Sequence, residues 1–126
     1  MEIPKPTESE LQVLQVLWQN GASTVRFVND EIAKQKTVGY TTTLKIMQMM
    51  TEKGLLKRVS TDEKAHIFEA AISEQETQQK LLDKFLDATF KGSAMKLVMQ
   101  ALGNHQTSQN ELDEIKKLIE QIEKNK

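Results

Sequence analysis

Four polar residues of one short segment have side chains suited to contacting a partner. They are Thr41, Thr42, Lys45 and Gln48, all within the run YTTTLKIMQMMTEKG. The run has a helical period, which places Ile46, Met47 and Met50 on the inward side and Leu44 with the four polar residues on the outward arc. Hydroxyl, ammonium and amide groups hydrogen-bond to base edges and phosphates in a DNA groove. The segment is therefore predicted to be a helix that reads nucleic acid.

A β-hairpin is predicted directly after this helix. Gly54 closes the helix, and the apolar period then shortens from about 3.6 to about 2 through LLKRV, the polar turn STDEK and AHIFEA. The polar residues of the hairpin are expected to contact the DNA backbone or the minor groove as a wing. They are Lys57, Arg58, Lys64 and His66.

Basic residues are concentrated around the predicted helix, although the whole chain has a formal net charge of -1. Between Ile32 and Thr61 the only acid is Glu52. The basic residues there are Lys34, Lys36, Lys45, Lys53, Lys57 and Arg58. Any phosphate-binding surface must therefore be confined to one face of the protein. The alternative, an ordinary solvated helix and hairpin, stays open because charge runs are usually solvated faces.

Two helices are predicted before the polar one. Thr7 and Glu10 form a capping box ahead of an apolar stripe, and either Ser23 or Thr24 caps the second helix. We expect Tyr40 and the second cap to contact phosphate, because backbone N–H groups at helix starts attract anions. Three short helices followed by a hairpin predict a winged helix-turn-helix over residues 1–72.

Residues 73–126 are predicted to form three amphipathic helices that serve as a dimerisation domain. Their apolar faces have no partner within the chain if the first 72 residues already form a unit, so we expect them to pack against a second copy. The fold class is thus mainly α with a small β-hairpin wing. The predicted dimer contacts are Leu82, Phe85, Leu86, Leu97, Val98, Leu112, Ile115, Ile119 and Ile122. Folding of these helices back onto the first domain is the alternative.

The composition argues against a metal site or an enzyme. The chain of 126 residues has no cysteine and two histidines, whereas a metal site needs three or four clustered ligands. Five methionines, namely Met47, Met49, Met50, Met95 and Met99, are expected to pack in the core. No Gly-rich phosphate loop or catalytic set is present. We expect no metal and no cofactor. With no apolar run long enough for a signal peptide or a membrane span, a cytoplasmic location is expected.

Four segments together resemble the penicillinase-repressor family, which contains the β-lactamase, methicillin-resistance and copper-responsive repressors. They are TESELQVLQVLW, YTTTLKIMQMMTEKGLL, FKGSAMKLVMQAL and SQNELDEIKKLIEQI. The resemblance covers nearly the whole chain. It implies a bacterial, cytoplasmic transcriptional repressor, in which an N-terminal winged helix binds a palindromic DNA operator as a homodimer held by the C-terminal helices.

The chain departs from the family pattern in two ways. The copper-responsive branch carries a C-terminal cysteine motif, and a chain without cysteine cannot sense copper in that form. In the antibiotic-responsive branch, release depends on cleavage of an Asn-Phe bond in a dimerisation helix, and the matching residues here are Gln100 and Ala101. We expect a membrane sensor protease, if one acts on this chain, to have a different bond preference.

Two alternative functions remain open on the sequence. A winged helix can serve as a protein-interaction module, with its charged face binding an acidic protein and without salt-dependent DNA affinity. The second alternative is a small-molecule-responsive dimeric regulator, although the sequence shows no polar groups that would converge on a ligand pocket.

Overall fold

The computed structural model describes residues 5–59, 66–104 and 106–126. Backbone contacts divide the chain into two units, one ending at Leu81 and the other running from Leu82 to Lys126. The elements are α1 (Glu8–Asn20), β1 (Ser23–Thr24), α2 (Val25–Ala33), α3 (Tyr40–Lys53), β2 (Leu56–Arg58), β3 (Ile67–Ala70), α4 (Glu74–Phe90), α5 (Ala94–Asn104) and α6 (Gln109–Lys124). The division into functional domains at residue 72 stays a prediction, since the contact boundary falls inside α4.

The start of α1 is the predicted capping box. The Thr7 hydroxyl accepts from the Glu10 N–H at 3.2 Å, and the Glu10 carboxylate accepts from the Thr7 N–H at 2.9 Å. Both hydrogen bonds satisfy N–H groups that have no partner within the helix. At the other end Gly21 has φ of 77°, and its N–H donates to the Leu17 carbonyl at 2.7 Å.

The bounds of α2 and α3 follow from local sequence. The Thr24 hydroxyl caps α2 by accepting from the Phe27 N–H at 3.0 Å. Gly54 ends α3 in the left-handed conformation with φ of 87°, as predicted, so the chain enters β2 within two residues. Helix α3 begins after Gly39 without a side-chain cap.

The sheet has three antiparallel strands in the order β1-β3-β2. Strands β2 and β3 form the predicted hairpin, with Leu56 opposite Ala70 and Arg58 opposite Phe68. The turn between them, including Lys64, lies outside the described residues. Strand β1 was not predicted, because two residues are too few for an alternating pattern. It pairs Ser23 with Phe68 and so ties the start of α2 to the hairpin.

One apolar core holds the first unit together. Its buried residues are Val13, Leu14, Leu17, Val25, Val28, Ile32, Met47, Met50, Leu55, Leu56 and Phe68. The outward placement of Leu44 is wrong, since this side chain is half-buried and packs against the core. Trp18 lies at the edge, where its indole Nε1 donates to the Ile72 carbonyl at 3.0 Å. That bond fixes the segment leading into α4.

The core packing expected of the methionines is correct for only two of them. Met47 and Met50 are fully buried, whereas Met49 is 46% exposed. Met95 and Met99, both on α5, are 69% and 66% exposed. Met49 projects outward because its position on α3 lies away from the face that packs on α1 and α2.

No residue whose burial is described in α5 or α6 is buried, and in α4 the one buried residue is Thr77, within the first unit. Most residues predicted to form the dimer are exposed in the single chain, with Phe85 at 50% and Ile122 at 52%. Leu86, Leu97, Leu112 and Ile115 are half-buried. Each helix therefore retains an apolar face that the chain does not cover.

Candidate nucleic-acid interface

The outer arc of α3 is formed by the residues that the sequence predicted. Thr41, Thr42, Lys45 and Gln48 are all exposed, while Thr43, Met47 and Met50 are buried on the opposite side. With about 100° between successive residues of a helix, the four outer side chains occupy one continuous arc centred near Lys45. The structure thus brings them together on a rigid element, while their roles toward bases stay a prediction.

The start of α3 is fixed by Asn29, a buried residue of α2 that was not predicted. Its amide nitrogen donates to the Thr43 hydroxyl at 2.7 Å, to the Gly39 carbonyl at 3.2 Å and to the Val38 carbonyl at 3.3 Å. We assign the amide in this orientation because backbone carbonyls can only accept hydrogen bonds. Asn29 therefore ties the residues that lead into α3, and Thr43 of its first turn, to α2. The signal in the sequence that could have identified Asn29 was its polar side chain at a position on the apolar side of α2.

The end of α3 is fixed by an ion pair with α1. Lys53 Nζ lies 2.8 Å from the Glu10 carboxylate, which is buried. Burial by itself would raise the pKa of Glu10, but the hydrogen bond from Lys53, its charge and the Thr7 hydrogen bonds outweigh burial and lower that pKa below 4.5. Glu10 therefore caps α1 and anchors α3 at once. Lys53 is an anchor of the helix, and the basic zone loses one of its predicted members.

Arg26 is a second interface candidate that sequence reasoning missed. Its guanidinium carbon lies 4.4 Å from the centroid of the Tyr40 ring, a cation–π distance. Arg26 is in the first turn of α2, and Tyr40 is the first residue of α3. The contact joins the starts of the two helices, where backbone N–H groups favour anions. The signal in the sequence that could have identified Arg26 was its position two residues after the Thr24 cap.

The two candidate caps of α2 have different roles. Thr24 caps the helix, whereas the Ser23 hydroxyl donates to the Gly21 carbonyl at 2.9 Å and its backbone belongs to β1. Thr24 is therefore the residue that places the N–H groups of α2 for an anion. Phosphate contact by either residue stays a prediction.

The hairpin adds a second surface beside α3. Arg58, His66 and Phe68 line a shallow depression together with Gln48, Thr51 and Glu52 of the helix. Arg58 and His66 therefore adjoin the Gln48 side of the arc, as expected of a wing. Glu52 brings a negative charge to this side, whereas the Thr42 side of the arc is uncharged.

Ion pairs occupy other lysines of the predicted basic zone. Lys57 Nζ lies 3.0 Å from the Glu69 carboxylate across the hairpin, and Lys34 Nζ lies 2.9 Å from Glu31. Both pairs are exposed, and exposed pairs contribute little stability, so a phosphate can compete for these lysines. In the described part of the chain Lys36 and Lys45 form no ion pair. Lys45 is therefore the least constrained cation on the arc.

Two other kinds of site are absent from the part of the chain that the structure describes. Within the described ranges, no group of three or more His, Cys, Asp or Glu side chains could hold a metal ion. None of the helices described here has the length and apolar character to cross a membrane.

A family model described as the penicillinase repressor matches residues 6–121. The chain belongs to the penicillinase-repressor family. This is a family of transcriptional repressors and not of enzymes, as the sequence predicted. A penicillinase repressor of Bacillus licheniformis is 23% identical over 120 residues, covering 95% of this chain and 93% of that protein. The methicillin resistance regulatory protein MecI of Staphylococcus aureus strain N315 is 21% identical over 113 residues, with coverage of 90% and 91%.

Two solved structures share the fold of a large part of this repressor-family chain. A solution structure of the DNA binding domain of the repressor BlaI has a TM-score of 0.52 at 23% identity, covering 60% of this chain and 90% of that chain. A solution structure of the Bacillus licheniformis BlaI monomeric form, in complex with the blaP half-operator, has a TM-score of 0.50 with the same identity and coverage. The predicted winged-helix fold is confirmed.

Proposed function

We propose that this chain is a DNA-binding transcriptional repressor that inserts α3 into the major groove of an operator. The observation that carries the proposal is the exposed polar arc of α3, held at one end by Asn29 and at the other by Glu10. A helix fixed at both ends presents its side chains in one geometry, so little order has to be gained on binding. Membership of a repressor family and the half-operator complex of the BlaI relative support it.

The proposed base contacts follow from the side-chain chemistry of the arc. Lys45 donates to the O6 and N7 acceptors of guanine, and Gln48 pairs with the N6 and N7 atoms of adenine. Thr41 and Thr42 contact base edges or phosphates through their hydroxyls, and their methyl groups can contact a thymine methyl group. All four are exposed on α3. Together they are proposed to determine the operator sequence.

The proposed phosphate contacts lie on either side of the arc. Tyr40, Arg26 and the first turn of α2 after Thr24 bind one strand, where the guanidinium can pair with two phosphate oxygens. Lys57, Arg58 and His66 of the hairpin bind the backbone on the other side, together with Lys64, which lies outside the described residues. These contacts position the protein without reading sequence.

A homodimer on a palindromic operator is proposed because apolar side chains of the second unit, such as Phe85, Val98 and Ile119, are about half exposed in the single chain. In a symmetric dimer the same residues meet on both subunits, and one winged helix then occupies each half-site. The proposed contacts are Leu82, Phe85, Leu86, Leu97, Val98, Leu112, Ile115, Ile119 and Ile122. Linking two half-site contacts strengthens binding without any new contact to DNA.

We propose that repression ends by proteolysis within α5, at or near Gln100 and Ala101, in the bacterial cytoplasm. Both residues are exposed but helical, and a protease needs extended backbone, so α5 must open first. A membrane sensor protease is the proposed partner. Immunoblots before and after a cell-wall antibiotic test this step. Derepression with a full-length repressor would contradict it.

Gel shifts on the promoter region of the chain's own gene, at two salt concentrations, test the proposed function. Specific binding should weaken steeply as salt rises, because released counterions drive phosphate binding. Random DNA of equal length is the control and should bind more weakly at both concentrations. Absence of salt-dependent DNA binding would favour the protein-interaction alternative. DNA binding that changes when the low-molecular-mass fraction of a cell extract is added would favour a small-molecule-responsive regulator.

A further inference from the structure

Met49 is an apolar residue on the face of α3 that the proposed function directs at DNA. It is 46% exposed, while the neighbouring Met50 is fully buried. An exposed methionine in the middle of a polar arc contributes nothing to the core of the first unit. Its surface stays in water unless a partner covers it.

Around the helix, Met49 lies between Lys45 and Thr42. It lies four residues after Lys45 and seven after Thr42, so the three side chains follow one line along the helix. Met49 is also on the side of the arc away from the depression lined by Glu52, Arg58 and His66. A contact made by Met49 is therefore separate from those made by the wing.

The largest apolar group on the base edges of the major groove is the C5-methyl group of thymine. A methionine side chain is unbranched and ends in a polarizable thioether, so it adapts its shape to a methyl group. Polar base edges and phosphates would instead lose solvation against it without gaining a hydrogen bond. The chemistry of the groove thus leaves one class of partner for Met49.

We propose that Met49 is a specificity-determining residue that selects a thymine in each half-site by contacting its C5-methyl group. This inference rests on the proposed function, because it requires α3 to lie in the major groove. It adds an apolar contact to those that the methyl groups of Thr41 and Thr42 can make with thymine. Selection here is by burial of apolar surface and not by a hydrogen bond.

The test removes single methyl groups from the DNA. The full-length chain is titrated with its tightest promoter duplex, in which each thymine in turn is replaced by deoxyuridine. Base pairing is unchanged and only the C5-methyl group is lost. At one thymine per half-site the unsubstituted protein should bind about fourfold more weakly, the factor expected for one buried methyl-sized group. Met49→Ala should bind the thymine and deoxyuridine duplexes equally at that position.

Two further variants make the test specific. Met49→Leu keeps an apolar side chain and should retain part of the thymine preference, whereas Met49→Gln should lose it. Gln15→Ala, at an exposed position of α1, should keep the preference in full. If the methyl preference is absent, or persists unchanged in Met49→Ala, the assignment of Met49 is wrong while DNA binding itself stands. If the chain prefers no duplex over random DNA, the proposed function is wrong and this inference with it.

Discussion

The two units of this chain use similar amphipathic helices but bury them to different extents. In the first unit Leu14, Val28, Met47 and Met50 have no exposed surface. In the second, Val98, Leu118 and Ile119 remain about half exposed, and none of the α5 and α6 side chains that the structure describes is buried. The helical period is equally regular in both. Periodicity therefore identifies which face is apolar, but not whether the same chain covers that face.

The proposed function places a different requirement on each of the two units. The first unit must hold α3 rigidly, and the core together with Asn29 and Glu10 does so within one chain. The second unit leaves apolar surface that water disfavours, at roughly 25 cal/mol for each Å² that stays uncovered. In the proposed dimer a second copy covers this surface, and we therefore expect that assembly and DNA binding can be altered separately.

Truncation after Leu81 should give the largest effect. The first unit keeps its core and the Trp18–Ile72 hydrogen bond, so it should stay folded but sediment as a monomer. Affinity for the full operator should fall by about 100-fold or more, because two linked half-site contacts become independent. Affinity for a half-site should hardly change. A truncated chain that still dimerises would place the interface in the winged helix.

Leu14→Ala and Ile119→Asp should separate the two units by their effect on folding. Leu14 is fully buried, so its truncation should lower the free energy of unfolding by about 2 to 5 kcal/mol at any protein concentration. Urea unfolding followed by the fluorescence of Trp18, the single tryptophan, measures this loss. Ile119→Asp should leave that signal nearly unchanged but make sedimentation monomeric. Equal destabilisation by both would mean that α6 belongs to the first core.

Lys45→Ala and Thr42→Ala should each weaken operator binding by about 1 to 3 kcal/mol. Both residues are exposed and contribute nothing to the core, so the fold should be unaffected. Random DNA should lose less affinity than the operator does. Lys5→Ala, which removes an exposed lysine ahead of α1, is the matched control and should affect both duplexes little. Equal losses on operator and random DNA would show that these side chains do not read bases.

Glu10→Gln should have the smallest effect and lower the free energy of unfolding by roughly 1 kcal/mol at pH 7. The loss is small because Lys53 is partly exposed, so solvent screens its ion pair with Glu10. The pKa of Glu10 is lowered on folding, so its carboxylate stabilises the fold above the ordinary pKa of 4.5. That contribution is lost as the pH falls through the lowered pKa. The free energy of unfolding, measured by urea titration, should therefore differ less between pH 7 and pH 3 in Glu10→Gln than in the unsubstituted protein. An unchanged pH dependence would remove Glu10 from this role.

The sequence by itself determined the elements of the first unit other than β1. Several features of this unit are local, so they can be recognised in the sequence alone. These features are the capping residue Thr7, the glycines that end α1 and α3, and the change in apolar period. They placed α1, α3 and the hairpin, together with the outward arc of Thr41, Thr42, Lys45 and Gln48. The residues that form no local pattern were the ones missed.

Only the tertiary structure decided which side chains meet across elements. Asn29 with Gly39, Glu10 with Lys53, and Arg26 with Tyr40 are separated in sequence by 10 or more residues, so no spacing rule connects them. The exposure of Met49 was decided in the same way, because its type suits a core and only the packing direction of α3 turns it outward. Side-chain chemistry can be deduced from residue type, but contacts depend on how the helices cross.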